Sequence, residues 1–154
     1  MKKIYLAGPD VFRENAPEHF NKMKELCHKY GFIGLSPFDS EAEFGATSEI
    51  IFDCNIEMID RCDIIVANLT KFRGSCIDDG TAFEIGYAYA KDKEIWGYTE
   101  DYDIALIDST IGNEEFPHVE NFNLPRNLMI CNAIFNTGAT IHSSFENILK
   151  LLNK

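Results

Sequence analysis

Asp63-Ile64-Ile65-Val66-Ala67-Asn68 is the stretch on which the fold turns. Between its polar ends the residues are apolar without alternation, so both faces must be buried, as in an inner parallel strand covered by helices on either side. Upstream, residues 47 to 62 read as a helix with Ile51, Cys54, Met58 and Cys62 on one face. Downstream, a loop to Asp79 leads into a helix over 81 to 91, and Glu94 to Tyr98 makes a further strand. At the start of the chain, Ile4-Tyr5-Leu6-Ala7 is a short buried strand ended by Gly8-Pro9. Ala16 to Tyr30 follows with Phe20, Met23, Cys27 and Tyr30 at helical spacing, and Gly31 closes it as a C-cap. Phe32 to Leu35 is the second strand, stopped by Ser36-Pro37. Residues 99 to 125 read as loop, Arg126 to Asn132 as a short helix and Ser144 to Leu152 as a terminal helix.

Alternating strands and helices specify an α/β fold: a doubly wound, flavodoxin- or Rossmann-like parallel sheet with helices on both faces. The length of 154 residues fits a single domain over 1–154. A hydrophobic fraction of 45% and a charged fraction of 25% are those of a globular chain. The net charge of −11 argues against nucleic acid as a partner, because that binding depends on Lys and Arg neutralising phosphates. No apolar run approaches the roughly 18 residues of a membrane span, so no membrane partner is expected. Five cysteines, Cys27, Cys54, Cys62, Cys76 and Cys131, contain no CxxC pair. They fit reduced thiols of a cytoplasmic protein and neither a disulfide framework nor a zinc site, so no metal is expected.

In doubly wound sheets ligands sit beyond the carboxyl ends of the strands. Gly8 to Phe12, Ser36 to Asp39 and Asn68 to Gly80 occupy that edge. A dinucleotide site wants GxGxxG after the first strand, where this chain has Gly8-Pro9-Asp10, and no Walker A sequence occurs. A receiver domain wants an aspartate where Asn68 stands. No cofactor is called for. The chemistry concentrates instead in Phe72-Arg-Gly-Ser-Cys-Ile-Asp-Asp-Gly-Thr-Ala-Phe-Glu-Ile-Gly-Tyr-Ala-Tyr-Ala90, where Asp78, Asp79 and Glu84 surround a glycine turn. Thr81-Ala-Phe-Glu84 also fits a helix capping box, in which Glu84 would bond back to the cap amide. Asp78 and Asp79 fit ordinary turn or cap residues as well.

Tyr5-Leu-Ala-Gly8, Asn55-Ile-Glu-Met-Ile-Asp-Arg-Cys-Asp63, Phe72-Arg-Gly74, Asp78-Asp-Gly-Thr-Ala-Phe-Glu-Ile-Gly86 and Pro125-Arg-Asn-Leu-Met129 occur in this order. Together they resemble the nucleoside 2-deoxyribosyltransferase family over nearly the whole chain. The resemblance implies a transferase that exchanges the base of 2'-deoxynucleosides, with Glu84 as covalent nucleophile and Tyr5 orienting its carboxylate. An N-glycosidic bond breaks through an oxocarbenium-like transition state, which a carboxylate can stabilise and then trap. A helix N-terminus near Glu84 is expected to favour the anion.

The same resemblance implies that Asp78 accepts the sugar 5'-hydroxyl, that Phe12 stacks on the base, and that Gly8 lines the pocket. It places Asn127 and Met129 in a neighbouring subunit's site, hence a homo-oligomer with shared active sites. Tyr5 and Phe12 also read as packing aromatics, and Asn127 as a helix first turn. Many family members carry Asp at the position of Asn55; an amide can hydrogen-bond the base edge but cannot protonate the leaving base. Asp39 and Glu41 are further candidate base contacts, while Asp63, Asp79 and Arg73 read as structural. The expected partners are 2'-deoxynucleosides and free nucleobases. Two alternatives remain open, a nucleoside 5'-monophosphate N-glycosidase and a non-enzymatic nucleotide sensor on the same fold.

Overall fold

The computed structural model describes residues 1–39, 46–102, 114–115, 117–118 and 122–154. Five strands form one parallel sheet: β1 (Lys3–Ala7), β2 (Ile33–Leu35), β3 (Ile64–Asn68), β4 (Glu94–Tyr98) and β5 (Ile141–His142). Five α-helices accompany them among the described residues: α1 (Ala16–Lys29), α2 (Ser48–Arg61), α3 (Asp79–Ala90), α4 (Leu128–Phe135) and α5 (Phe145–Leu152). The spatial order is β2-β1-β3-β4-β5. β3 lies between β1 and β4, and its five residues are all buried, as their unbroken apolar run requires.

The two faces of the sheet separate by residue parity. Ile4, Leu6, Ile64 and Val66 pack with Phe20, Met23 and Cys27 of α1 and Ile148 and Leu149 of α5. Tyr5, Ala7, Ile65 and Ala67 pack on the other face with Ile59 of α2, Ile85 and Ala88 of α3, and Cys131 and Ile134 of α4. Each Val, Leu, Ile, Phe or Met side chain among them taken fully out of water contributes about 1.5–3 kcal/mol before entropy is counted. The placement of Tyr5 matters for function: it points to the α2–α3–α4 side.

The ends of the helices show where local sequence was decisive. Asn127, Ser144 and Thr47 cap α4, α5 and α2 with side-chain oxygens, and Gly31 follows α1 at φ 82°. α3 differs from expectation. Asp78 is its cap, accepting from Thr81 N at 2.9 Å and from Thr81 Oγ1 at 3.0 Å, so the helix begins at Asp79 rather than at residue 81. Glu84 then falls in the second turn, too far along to close a capping box. On α2, Ile51 is exposed together with Ile50 and Phe52, and the buried residues are Met58 and Ile59. Only the C-terminal half of that helix lies over the sheet.

β5 is two residues long, and its shortness hid it within the sequence between α4 and α5. Its neighbour Gly97 on β4 marks a close approach: a Cβ there would stand 2.7 Å from Leu69 Cδ1 and 2.9 Å from Ile134 Cδ1. Gly97→Ala should therefore lower stability by about 1–3 kcal/mol, read as a fall in the urea midpoint at unchanged slope. A midpoint equal to that of the wild type would mean that Leu69 and Ile134 have room to withdraw.

Candidate active site

The chain runs outward from β1 to β2, returns on the far side of β1 as β3, and continues outward to β4 and β5. The loops after β1 and β3 therefore diverge, and the crevice between them is the switch point at which doubly wound sheets bind ligands. Residues from both loops meet there.

The loop after β1 is held by a buried carboxylate. Asp10 accepts from Asn68 Nδ2 at 2.8 Å and from Arg13 Nε, and His19 Nε2 stands 3.2 Å away. Asn68 Oδ1 accepts from Thr70 N at 3.0 Å, so one side chain ties the end of β3 to both loops. Gly8 lies flat against this anchor: at φ 155° an added Cβ would be 2.7 Å from Asn68 Cβ. Phe12, on the 3-10 turn Pro9–Phe12, stacks on Phe72 of the opposite loop with centroids 5.0 Å apart. The guanidinium of Arg73 sits 4.6 Å from the Phe72 ring centre and 5.1 Å from that of Phe12. Arg73 was expected to be structural, and its φ of 50° followed by Gly74 at 148° brings it back over these rings.

On the face of the sheet that packs α3, Tyr5 Oη donates to Glu84 Oε1 at 2.7 Å. Tyr5 is wholly buried. Burial, the adjoining Glu84 charge and the hydrogen bond all push its phenol pKa far up, so it stays a proton-bearing donor. Burial pushes the Glu84 carboxyl up to about 7, against the lowering effect of the Tyr5 hydrogen bond and with a smaller push from Asp78. The expectation that a helix N-terminus keeps Glu84 anionic thus meets a stronger opposing effect. A second-turn residue is beyond the reach of most of the dipole, and desolvation of the charged form dominates.

Asp78 spends Oδ2 on Thr81, leaving Oδ1 directed elsewhere. Asn55, on α2, has its amide oxygen buried without a hydrogen-bond partner among the described residues. An unsatisfied buried acceptor costs about 1–3 kcal/mol and calls for a functional reason. Asp39 bonds Ser36 N and Lys24, which makes it a turn-former, and Glu41 lies outside the described residues. Asp63 accepts from Lys3 N at 2.7 Å and is structural.

Asn127 and Met129 lie at the start of α4, exposed and on a segment that Arg126 fixes. Buried Arg126 donates to Leu69 O at 2.6 Å, Thr99 Oγ1 at 3.1 Å and Asp101 Oδ1 at 2.9 Å. Asp10 and Arg126 were missed as anchors. Both are charged residues beside a proline, Asp10 after Pro9 and Arg126 after Pro125, but nothing in their spacing marks a buried partner.

The profile of the nucleoside 2-deoxyribosyltransferase family matches residues 4–129. The structure of the 2-deoxyribosyltransferase from Leishmania mexicana superposes with a TM-score of 0.84 at 33% identity, over 99% of this chain and 97% of that one. The 2-deoxyribosyltransferase of Bacillus psychrosaccharolyticus, at 23% identity with 96% of this chain and 90% of that one covered, reaches a TM-score of 0.60. The CMP N-glycosidase of Clostridium botulinum, at 16% identity with coverage of 99% and 98%, also reaches 0.60; these two share the fold. An uncharacterized protein of Schizosaccharomyces pombe is 40% identical over 105 residues, 64% of this chain. The match spans half the length of that relative.

The raised Glu84 pKa has a consequence for stability. Folding takes up a proton on Glu84 between its ordinary value of 4.5 and about 7, so the buried carboxylate weakens the fold as pH rises through that window. Glu84→Gln, which keeps an acceptor for Tyr5, should melt higher than wild type at about pH 8, with the gap closing towards about pH 5. A gap that widens on acidification would show that the Tyr5 hydrogen bond outweighs burial.

Proposed function

The chain belongs to the nucleoside 2-deoxyribosyltransferase family, and we propose that it moves 2-deoxyribose between bases through a covalent ester on Glu84. The observation that carries this reading is the 2.7 Å hydrogen bond from Tyr5 to Glu84 Oε1 at the crevice. A carboxylate in a helix second turn, released from capping and held by a buried phenol, has no evident structural task. Tyr5 fixes Oε1, which leaves Oε2 to attack C1' of the sugar. The C1'–N bond breaks, the base departs with the bonding pair and takes up a proton, and an ester remains. A second base gives up its N–H proton to solvent as its ring nitrogen attacks C1', the ester C–O bond breaks, and Glu84 regains its charge. Two inversions retain the β-configuration.

The remaining residues divide between the ends of the substrate. Asp78 Oδ1 accepts the 5'-hydroxyl, Phe12 stacks on the base, Gly8 lets the first loop lie close to the sugar, and the buried Asn55 oxygen accepts an N–H of the base edge. Asn55 supplies no proton to the leaving base. Asp78 also weighs against a monophosphate substrate, since a carboxylate and a phosphate dianion at contact repel.

The test is direct. With deoxyinosine and adenine, wild type should release hypoxanthine and form deoxyadenosine, and should neglect deoxynucleoside 5'-monophosphates. Glu84→Ala should abolish exchange in a folded protein. A slow 2'-fluoro-2'-deoxynucleoside should leave a sugar adduct on the peptide containing Glu84. Preference for monophosphates with release of free sugar phosphate would instead establish the N-glycosidase reading.

Sharing of the site between copies is part of the same proposal. Met129 is 72% exposed beside Asn127, and Phe52 and Phe83 form an exposed aromatic pair with centroids 5.8 Å apart on the neighbouring helices, an apolar face suited to a second copy. In a symmetric dimer Asn127 and Met129 of one chain would complete the pocket that holds Glu84 of the other. Glu84→Ala and Asn127→Ala proteins, refolded together in equal amounts, should regain roughly one quarter of wild-type exchange, since half the dimers are mixed and each has one intact site. Mixed dimers without activity would mean that Asn127 serves its own chain.

A further inference from the structure

We propose that Thr81 is a positioning residue of the site: its amide and its hydroxyl together hold one oxygen of Asp78, which aims the other at the sugar and makes the protein discriminate a donor that carries a 5'-hydroxyl from one that lacks it. This rests on the base-exchange reading, in which Asp78 Oδ1 accepts that hydroxyl, and adds to it the residue that aims the acceptor.

The argument starts from the cap of α3. A helix cap needs one acceptor for one orphan amide, and the caps of α2, α4 and α5 supply that: Thr47 accepts from Ile50 N, Asn127 from Met129 N and Ser144 from Asn147 N. Asp78 Oδ2 instead takes two donors from a single residue, Thr81 N at 2.9 Å and Thr81 Oγ1 at 3.0 Å. Thr81 is 1% exposed, so its hydroxyl is shut off from solvent. A threonine inside a helix commonly returns its hydroxyl to the carbonyl four residues back. Here the hydroxyl goes to a carboxylate, in a stronger, charge-assisted bond. Gly80 completes the enclosure of Oδ2: a Cβ there would stand 3.1 Å from it. The last torsion of an aspartate is soft, and a second donor on the same oxygen restrains the carboxylate from turning about it. Among the described residues Oδ1 has no hydrogen-bond partner.

The spacing to Glu84 says what Oδ1 can meet. Six residues place Asp78 and Glu84 about 9 Å apart along the axis of α3. The tilt of helical side chains towards the N-terminus brings the Glu84 carboxyl back towards Asp78. The two are near enough for the Asp78 charge to add to the raising of the Glu84 carboxyl. A furanose whose C1' lies on Glu84 therefore has Asp78 at the far end of its reach. The 5'-hydroxyl, carried on an exocyclic carbon, is the hydroxyl that extends farthest from C1'. An acceptor already oriented makes this bond without further ordering, whereas a carboxylate free to turn must first be ordered.

The experiment measures the ratio of kcat/KM for deoxyinosine to that for 2',5'-dideoxyinosine, with adenine as acceptor, in wild type, Thr81→Val and Thr81→Ser. Wild type should prefer the donor with the 5'-hydroxyl. Thr81→Val keeps the amide, and so the cap, but loses the hydroxyl. The preference should then fall about tenfold, chiefly through KM for deoxyinosine, because the bond to the 5'-hydroxyl is already made in the ground state. Thr81→Ser keeps a hydroxyl and should recover most of the preference; Thr81→Ala serves the same comparison should the valine variant fold poorly. In an Asp78→Ala background no carboxylate is left to aim, and Thr81→Val should leave the ratio as it is. A merely structural role for Thr81 would lower turnover of both donors equally. That result, an unchanged ratio, or an effect on the ratio that persists without Asp78 overturns the inference and leaves the exchange reading intact. If wild type exchanges nothing, the same ratio is read from the equilibrium dissociation constants of the two nucleosides. A preference that depends on Thr81 then keeps the inference while the exchange reading fails, and no preference leaves neither standing.

Discussion

The pairing of β1 with β3 is the constraint from which the site follows. Their register, Ile4 with Ile64 through Ala7 with Ala67, ends both strands at one edge. The right-handed crossovers that leave them run to opposite sides of the sheet. A crevice at that point is a topological necessity; what the sequence adds is its lining. Side-chain parity on β1 then sends Tyr5 to the α3 face, where the only way for α3 to pack Ile85 and Ala88 inward also turns Glu84 towards the phenol. The hydrogen bond is a by-product of register and helix phase, and moving β1 by one residue would exchange Tyr5 for an aliphatic neighbour.

The chain accepts several local costs. The Glu84 carboxylate is desolvated with its pKa raised, an amide oxygen on Asn55 is buried without a hydrogen-bond partner among the described residues, and Arg73 holds a left-handed backbone. Each departs from what the rest of the molecule does. β3 is buried throughout and paired with β1 and β4 on its two sides, and the helix caps at Thr47, Ser144 and Asn127 are satisfied. Isolated unfavourable features on an ordinary core are the expected pattern where preorganised chemistry is held by a stable scaffold.

Much of this was legible in sequence, and the reasons are specific. β1 and β3 announced themselves because inner parallel strands are apolar on both faces, and α1 because Phe20, Met23 and Cys27 recur at helical spacing. Glu84 and Tyr5 were named from their motifs, and the structure brings them into contact. Local pattern misled where two reasonable local solutions competed. Thr81 and Glu84 fit a capping box, but Asp78 is a better cap because its carboxylate reaches both the amide and the hydroxyl of Thr81. Ile51 matched a core-facing stripe, yet the sheet ends before α2 does. Asp10 and Arg126 were harder to see: Arg13 and His19 stand near Asp10 in sequence, but the partners that make the two residues anchors, Asn68 and the ends of β3 and β4, are distant and carry no spacing signal.

Those two buried charges explain how segments remote in sequence reach one edge. Asp10 draws the first loop down onto Asn68, which closes the near side of the crevice and sets the height of Phe12. Arg126 does the equivalent on the far side, joining the carbonyl of Leu69 after β3 to Thr99 and Asp101 after β4. Because an unpaired buried charge costs far more than either hydrogen bond returns, each residue holds its loop in one arrangement. With Arg126 turned inward, the next residues can only turn outward, and Asn127 with Met129 are presented on the surface at the start of α4. There Asn127 caps α4, its side-chain oxygen accepting from Met129 N at 2.9 Å, so the same turn that buries Arg126 starts the helix.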